Sequence, residues 1–307
     1  MGDRQQTSPQ STSPVSTISD RTKTIAQYTL GQPRKPSNID HSRPSPDQYR
    51  LHPAAASDYA QLAKWKVYLE GVKHAQGVPY APHNNIPEGI AAYEHYLYGN
   101  GADRWFSYEK YVRQDAAGQQ TLRSAIRDAS SGAEKLYFEN FYEKQRAAQA
   151  AGRKADPVRY SFTGSGLGAG NIGNAVMNER FPYPETEDWQ KTIGSHFIWL
   201  SGNVTVTLDS NGKPEFELDL TLHAEDKYQY VSNLQDIASL IKDDENVRLE
   251  TAGLAKPYMH YSYLTRTVKW AANPTLAVGP VSASAPSSLP PPALPQPPQR
   301  VPSVLMR

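Results

Sequence analysis

The chain contains no cysteine. Its fold and chemistry therefore use no disulfide, thiolate metal ligand or cysteine nucleophile. It also lacks an apolar run of roughly 18 residues, the length that a membrane-spanning helix requires, and its mean hydropathy is -0.65. Nor does either charge sign dominate: 32 Lys and Arg stand against 31 Asp and Glu, leaving a net charge of +1. Such a balance offers no electrostatic footprint for a nucleic-acid backbone, so no nucleic acid is expected among the partners. The N-terminal region shows no charged stretch followed by an apolar one, as a cleavable secretory signal would. Gln6 occupies the place where a myristoylation pattern after Gly2 needs Ser or Thr.

What is abundant is Ser, Thr, Pro and Gln at the two ends. Residues 1–50 and 273–307 hold too few apolar side chains to offset the entropy of ordering. The composition predicts a disordered leader over 1–50 and a disordered proline-rich tail over 273–307. Between them lies enough chain for one sizeable core or two small ones. Helical spacing dominates 53–154 and strand alternation dominates 155–272, so the expected class is α+β. The expected division is a helical domain and an antiparallel β-rich effector domain, with Trp189, Trp199 and Trp270 sharing the core of the latter. A fragment over 155–272 should then unfold cooperatively.

In the helical part, Ser57 or Asp58 can cap a helix reaching Gln76, with Leu62, Trp65, Leu69 and Val72 at helical spacing. Pro87 suits the first position of a second helix that Gly99 closes, and Ser107 can cap a short third. The longest signal runs from about Gln119 to Ala150, carrying Leu122, Ile126, Ala129, Ala133, Leu136 and Tyr137 on one stripe.

The firmest element is a hairpin. His196 to Leu208 and Phe216 to His223 alternate apolar and polar residues with period two, joined by Asp209-Ser210-Asn211-Gly212. Phe216, Leu218, Leu220 and Leu222 should be buried, while Glu217, Asp219, Thr221 and His223 face water. Val247 to Glu250 and Leu264 to Trp270 are further candidate strands, and Asp236 to Lys242 fits either a short helix or a strand. The segment 164–173 contains Gly168-x-Gly170-x-x-Gly173 after a predicted strand. A dinucleotide-binding turn would have to open a long helix, which Pro182 and Pro184 interrupt, so the segment reads as a loop without a cofactor.

Where the hairpin ends, His223, Glu225, Asp226 and Tyr228 gather. Carboxylates beside an imidazole can divide acid and base roles, which makes these four the candidate catalytic residues. Asp219 and Asp226 are the candidate ligands of a hard divalent cation such as Mg or Ca. A hairpin bearing Trp199 and followed by Asp226-x-Tyr228 resembles the arrangement in colicin M-type bacteriocin domains, whose motif is Asp-x-Tyr-Asp-x-x-x-His-Arg. Gln229 replaces the second aspartate of that motif, and no His-Arg pair follows closely. The resemblance implies a β-rich domain that cleaves a lipid-linked peptidoglycan precursor with a divalent metal.

In the tail, Pro295-x-x-Pro298-x-Arg300 matches the polyproline pattern that SH3 domains read, which makes these three residues candidate partner contacts. Together these features describe an exported bacterial effector or toxin, kept in the cytoplasm of its producer and released without a cleavable signal. Its expected partners are a secretion apparatus or chaperone, an immunity protein, or an SH3-like domain. The alternative is a non-catalytic interaction or scaffold protein.

Overall fold

The computed structural model describes residues 24–41, 50–153, 155–232 and 243–272. The fold is α+β: eight helices and a mostly antiparallel seven-stranded sheet among these residues. Strands β1 (Tyr28–Leu30), β3 (Val158–Gly164), β5 (His196–Leu208), β6 (Pro214–Tyr228), β7 (Tyr258–Ala271) and β2 (Arg104–Trp105) lie in that order, with β4 (Leu167–Ala169) beside β5. Only the β2–β7 pair is parallel.

The hairpin of β5 and β6 is the sheet's centre, with Val204 opposite Leu218 and Leu208 opposite Pro214. Its turn closes by hydrogen bonds from Gly212 N to Asp209 O and from Asp209 N to Lys213 O, with Gly212 at φ +77°. The Asp209 carboxylate also accepts from the Asn211 and Lys213 amides, so the turn holds itself. Phe216, Leu218, Leu220 and Leu222 are all but fully buried, as the alternation predicts, while Glu217 and Asp219 are exposed.

The helices are α1 (Ala56–Ala75), α2 (Pro87–Tyr98), α3 (Tyr108–Gln114), α4 (Ala116–Asn140), α5 (Tyr142–Ala150), α6 (Ala175–Arg180), α7 (Glu187–Thr192) and α8 (Asp244–Thr251). Pro87 opens α2, Gly99 caps its C-terminus, and Ser107 caps α3 by accepting from Lys110 N. The long helix divides at Phe141 into α4 and α5. Its cap is Asp115, whose carboxylate accepts from Ala117 N.

Two cores result. The larger one packs α4 through Leu122, Ala125, Ala129, Ala133 and Leu136 against Phe162, Leu200, Val206, Phe216 and Leu220 of the sheet. In the smaller, Trp65, Leu69, Tyr96, Leu97 and Leu249 from α1, α2 and α8 cover the end of the sheet at Tyr228 and Tyr258.

Several expectations change. The texture switches near residue 155, yet the two halves share the larger core, because one sheet face needs α4 to cover it. Residues 24–41 of the expected leader carry defined structure: β1 pairs with β3, and Asp128 of α4 accepts from Ile25 N, Ala26 N and the Tyr28 hydroxyl. Gly132 permits this, since a Cβ there would run into the Tyr28 ring. Val247 to Glu250 belongs to a helix, α8, rather than a strand. Trp189 lies in the larger core and Trp270 packs against it, whereas Trp199 sits on the opposite sheet face, stacked on His223 at 3.5 Å. Asp236 to Lys242, residues 1–23 and the tail with Pro295, Pro298 and Arg300 lie outside the described residues.

Candidate active site

The acidic cluster at the end of the hairpin does not form one site. β6 runs on to Tyr228, so period two continues through Glu225 and Asp226 and turns them to opposite faces. Asp219, His223 and Glu225 share the open face, and Asp226 and Tyr228 share the face under the helices. The expected metal pair, Asp219 and Asp226, is thereby separated. Among the described residues, no group of three or more His, Cys, Asp and Glu side chains is placed to hold a metal ion.

On the open face, Asp219 accepts from Thr267 Oγ1 at 2.7 Å. His223 stacks on Trp199 with its Nε2 3.0 Å from Ser201 Oγ, and burial lowers its pKa to about 4. A neutral, stacked imidazole serves here as packing. Burial pushes the Glu225 carboxyl upward, but the nearby His41 ring and the Lys35 ammonium, which donates to it at 2.8 Å, outweigh that and hold it below the usual carboxylate range.

Under the helices the register builds a different group. Asp226 pairs with His260 on β7, and His260 pairs with Arg104 on β2. Asp226 and Arg104 are thus two strand spacings apart, about 10 Å. Arg104 Nη1 lies 2.8 Å from His260 Nε2. Because a guanidinium can only donate, Nε2 accepts and the imidazole proton sits on Nδ1. That nitrogen faces the Thr192 backbone without completing a hydrogen bond. Burial, helped by the Arg104 charge, drives the His260 pKa to about 3. His260 is therefore a neutral acceptor that orients Arg104.

Asp226 is half-buried, and burial raises its carboxyl to about 7, opposed by a hydrogen bond from the Lys227 backbone. A group balanced near neutral pH can both give and take a proton during turnover. Tyr228 and Tyr258 stack at 5.1 Å and feel the charges of both Asp226 and Arg104. Burial keeps both phenols protonated above their usual range. Nearby, buried Glu250 accepts from Tyr230 N at 3.0 Å, and desolvation lifts it to about 7. Arg104 also lines a surface cleft of about 570 Å³ between α1 and α2, together with Glu70, Glu94, His95, Tyr98 and Gly99. The arrangement offers a fixed cation for an anionic group, a titratable carboxyl and hydroxyl donors.

Asp226 and Tyr228 were legible as candidates in the sequence. Arg104 and Glu250 were not, since one comes from a two-residue strand and the other from a helix remote in sequence, and neither lies in a motif.

The Asp226 pKa gives a test by pH. Raised above the ordinary 3.8, it favours folding in its protonated form, and that contribution disappears as pH rises from about 4 through 7. Asp226→Asn removes this ionisation. The variant is expected to melt a few degrees higher than the parent at pH 8 and equally at pH 4, roughly the scale of 1–2 kcal/mol. Thermal melts of both chains in parallel cancel the histidine contributions. An equal difference at both pH values would mean that Asp226 titrates normally.

No protein-family model matches the chain, and neither does any curated protein or solved structure.

Proposed function

We propose that the chain is an exported bacterial effector enzyme that performs acid–base chemistry at Asp226 on an anionic substrate, with a phosphate-bearing cell-envelope precursor as the substrate class. The observation that carries this reading is the cross-strand row Asp226, His260 and Arg104. It sets a carboxyl that titrates near neutrality two strand spacings, about 10 Å, from a cation that a neutral imidazole holds in position. In this reading Arg104 binds the anionic group, His260 positions Arg104, and Asp226 moves the proton. The absence of cysteine, the compositions of residues 1–23 and 273–307, and the Asp226-x-Tyr228 resemblance support the exported-effector part.

The test is bacterial growth with the chain expressed in the cytoplasm or directed to the periplasm, each beside Asp226→Asn. Growth arrest from the periplasm that needs Asp226 is the expected result, with a loss of about 100-fold or more in potency for the variant. Equal potency of the variant would overturn the catalytic role.

The scaffold reading has one observation in its favour. Trp105 and Tyr263 are about half exposed on the open sheet face, 6.1 Å apart and edge to face. If Trp105→Ala/Tyr263→Ala removes the phenotype while Asp226→Asn keeps it, that reading prevails.

A further inference from the structure

On the sheet face opposite Asp226, residues 31–41 lie across β3, β5 and β6 in the manner of a bound peptide. Gly31 N donates to Ser161 O, and Arg34 N donates to Thr163 Oγ1 at 3.3 Å. The Lys35 ammonium reaches both oxygens of Glu225 at 2.8 Å, across 190 positions of sequence. The Asn38 side chain exchanges two hydrogen bonds with the Gly166 backbone, at 2.9 and 2.8 Å. Ile39 is buried against Gly166, where any Cβ would collide with it. His41 packs edge-on to Phe197 at 5.2 Å, with its Nε2 3.6 Å from Glu225.

The two sides of this contact differ in kind. Glu225 and Phe197 are direct cross-strand partners at the centre of the sheet, so the receiving groups are in place whether or not the segment covers them. The segment itself contains no strand and follows directly on the three residues of β1, which are anchored separately by Asp128. Each anchor is a recognition contact: an ion pair for a cation, a paired amide for backbone, and a gap shaped by glycine for a branched aliphatic.

We infer that this face is a peptide-binding site for a basic segment bearing a lysine and, four residues later, a branched aliphatic side chain, and that residues 31–41 occupy it as an internal ligand. Charge complementarity selects the occupant. Glu225 requires a cation, and Lys35, 47% exposed, marks where an incoming ammonium enters. The partner is a protein that presents such a segment and displaces the internal one. This site lies on the other side of the sheet from Asp226 and does not depend on the catalytic reading.

The probe is a fluorescein-labelled peptide with the sequence of residues 31–41, titrated by anisotropy into full-length chains. The Lys35→Ala/Ile39→Ala chain, with its internal ligand weakened, is expected to bind the peptide at least about tenfold more tightly than the parent, because the parent's own segment competes. Adding Glu225→Gln, or replacing the peptide's lysine by alanine, should weaken binding by about tenfold or more. No saturable binding to the double variant, or binding indifferent to Glu225→Gln, overturns the inference. Should the double variant lose its native circular dichroism, Lys35→Ala alone serves as the receptor under the same criteria. Equal binding by parent and variant would show that residues 31–41 do not occupy the site.

Discussion

A fragment spanning residues 155–272 is expected to be unfolded in isolation, with tryptophan fluorescence at the solvent-exposed limit and no cooperative transition in denaturant. The fragment keeps β3 to β7 but loses α4, which covers their apolar face. Phe162, Leu200, Val204, Val206, Phe216, Leu218, Leu220 and Leu222 are each 2% exposed or less in the whole chain. They share one cluster with Leu122, Ala125, Ala129, Ala133 and Leu136 of α4. Burying a large aliphatic or aromatic side chain contributes roughly 1.5–3 kcal/mol. Even if half of that burial is lost at these eight positions, the cost is about 6–12 kcal/mol, the size of a typical domain's whole stability of about 5–15 kcal/mol. Tyr137 of α4 also packs edge to face on Phe216 at 5.3 Å, and Gln145 of α5 donates to Val206 O, contacts that the fragment cannot replace. Re-adding residues 50–154 as a separate chain should restore folding if this account is correct. A 155–272 fragment that melts cooperatively by itself would refute it.

Asp115→Ala is expected to destabilise the whole chain by about 3–5 kcal/mol. Asp115 is 1% exposed, and one carboxylate serves two distant segments. It caps α4 through Ala117 N at 2.9 Å, and it accepts from Glu185 N, Thr186 N and Thr186 Oγ1 at 2.8–3.2 Å. Loss of a cap costs about 1 kcal/mol. Each buried donor left without a partner adds about 1–3 kcal/mol, moderated where water can enter. The loop at 185–186 leads into α7, whose Asp188 in turn accepts from Gly89 N of α2, so the damage should spread toward the cleft. Urea denaturation of Asp115→Ala beside Asp115→Asn checks this. Asparagine keeps an acceptor for the cap and should recover part of the loss. A destabilisation under 1 kcal/mol for alanine would mean that the loop and helix hold each other without the carboxylate.

Period two in Phe216 to Leu222, the Asp-Ser-Asn-Gly turn, Pro87, Gly99 and Ser107 are local signals, and a local signal needs only its neighbours in sequence to be read. They determined the hairpin, both ends of α2, the start of α3 and the α+β class, whereas α1 starts after Ala55 rather than at Ser57 or Asp58 and α4 starts after Asp115 rather than near Gln119. Where β6 ends was not local. Alternation predicts facing only while a strand lasts, and β7 extends β6 to Tyr228 by pairing with it throughout. That extension separated Glu225 from Asp226, which neighbouring positions in sequence suggested would act together. Val247 to Glu250 is apolar enough for a strand, but the smaller core takes Leu249 on a helix beside Tyr96. The roles of Asp115 and Gln145 likewise depend on partners 60 or more positions away, Thr186 and Val206. The candidate site is of the same kind. Sequence alone marked Asp226 and Tyr228 as candidates, whereas only the tertiary structure put them on one strand face and brought Arg104 and His260 into the same row. Strand register across β6, β7 and β2 sets that meeting, and register is decided by which apolar faces can be buried together rather than by any residue's own neighbours.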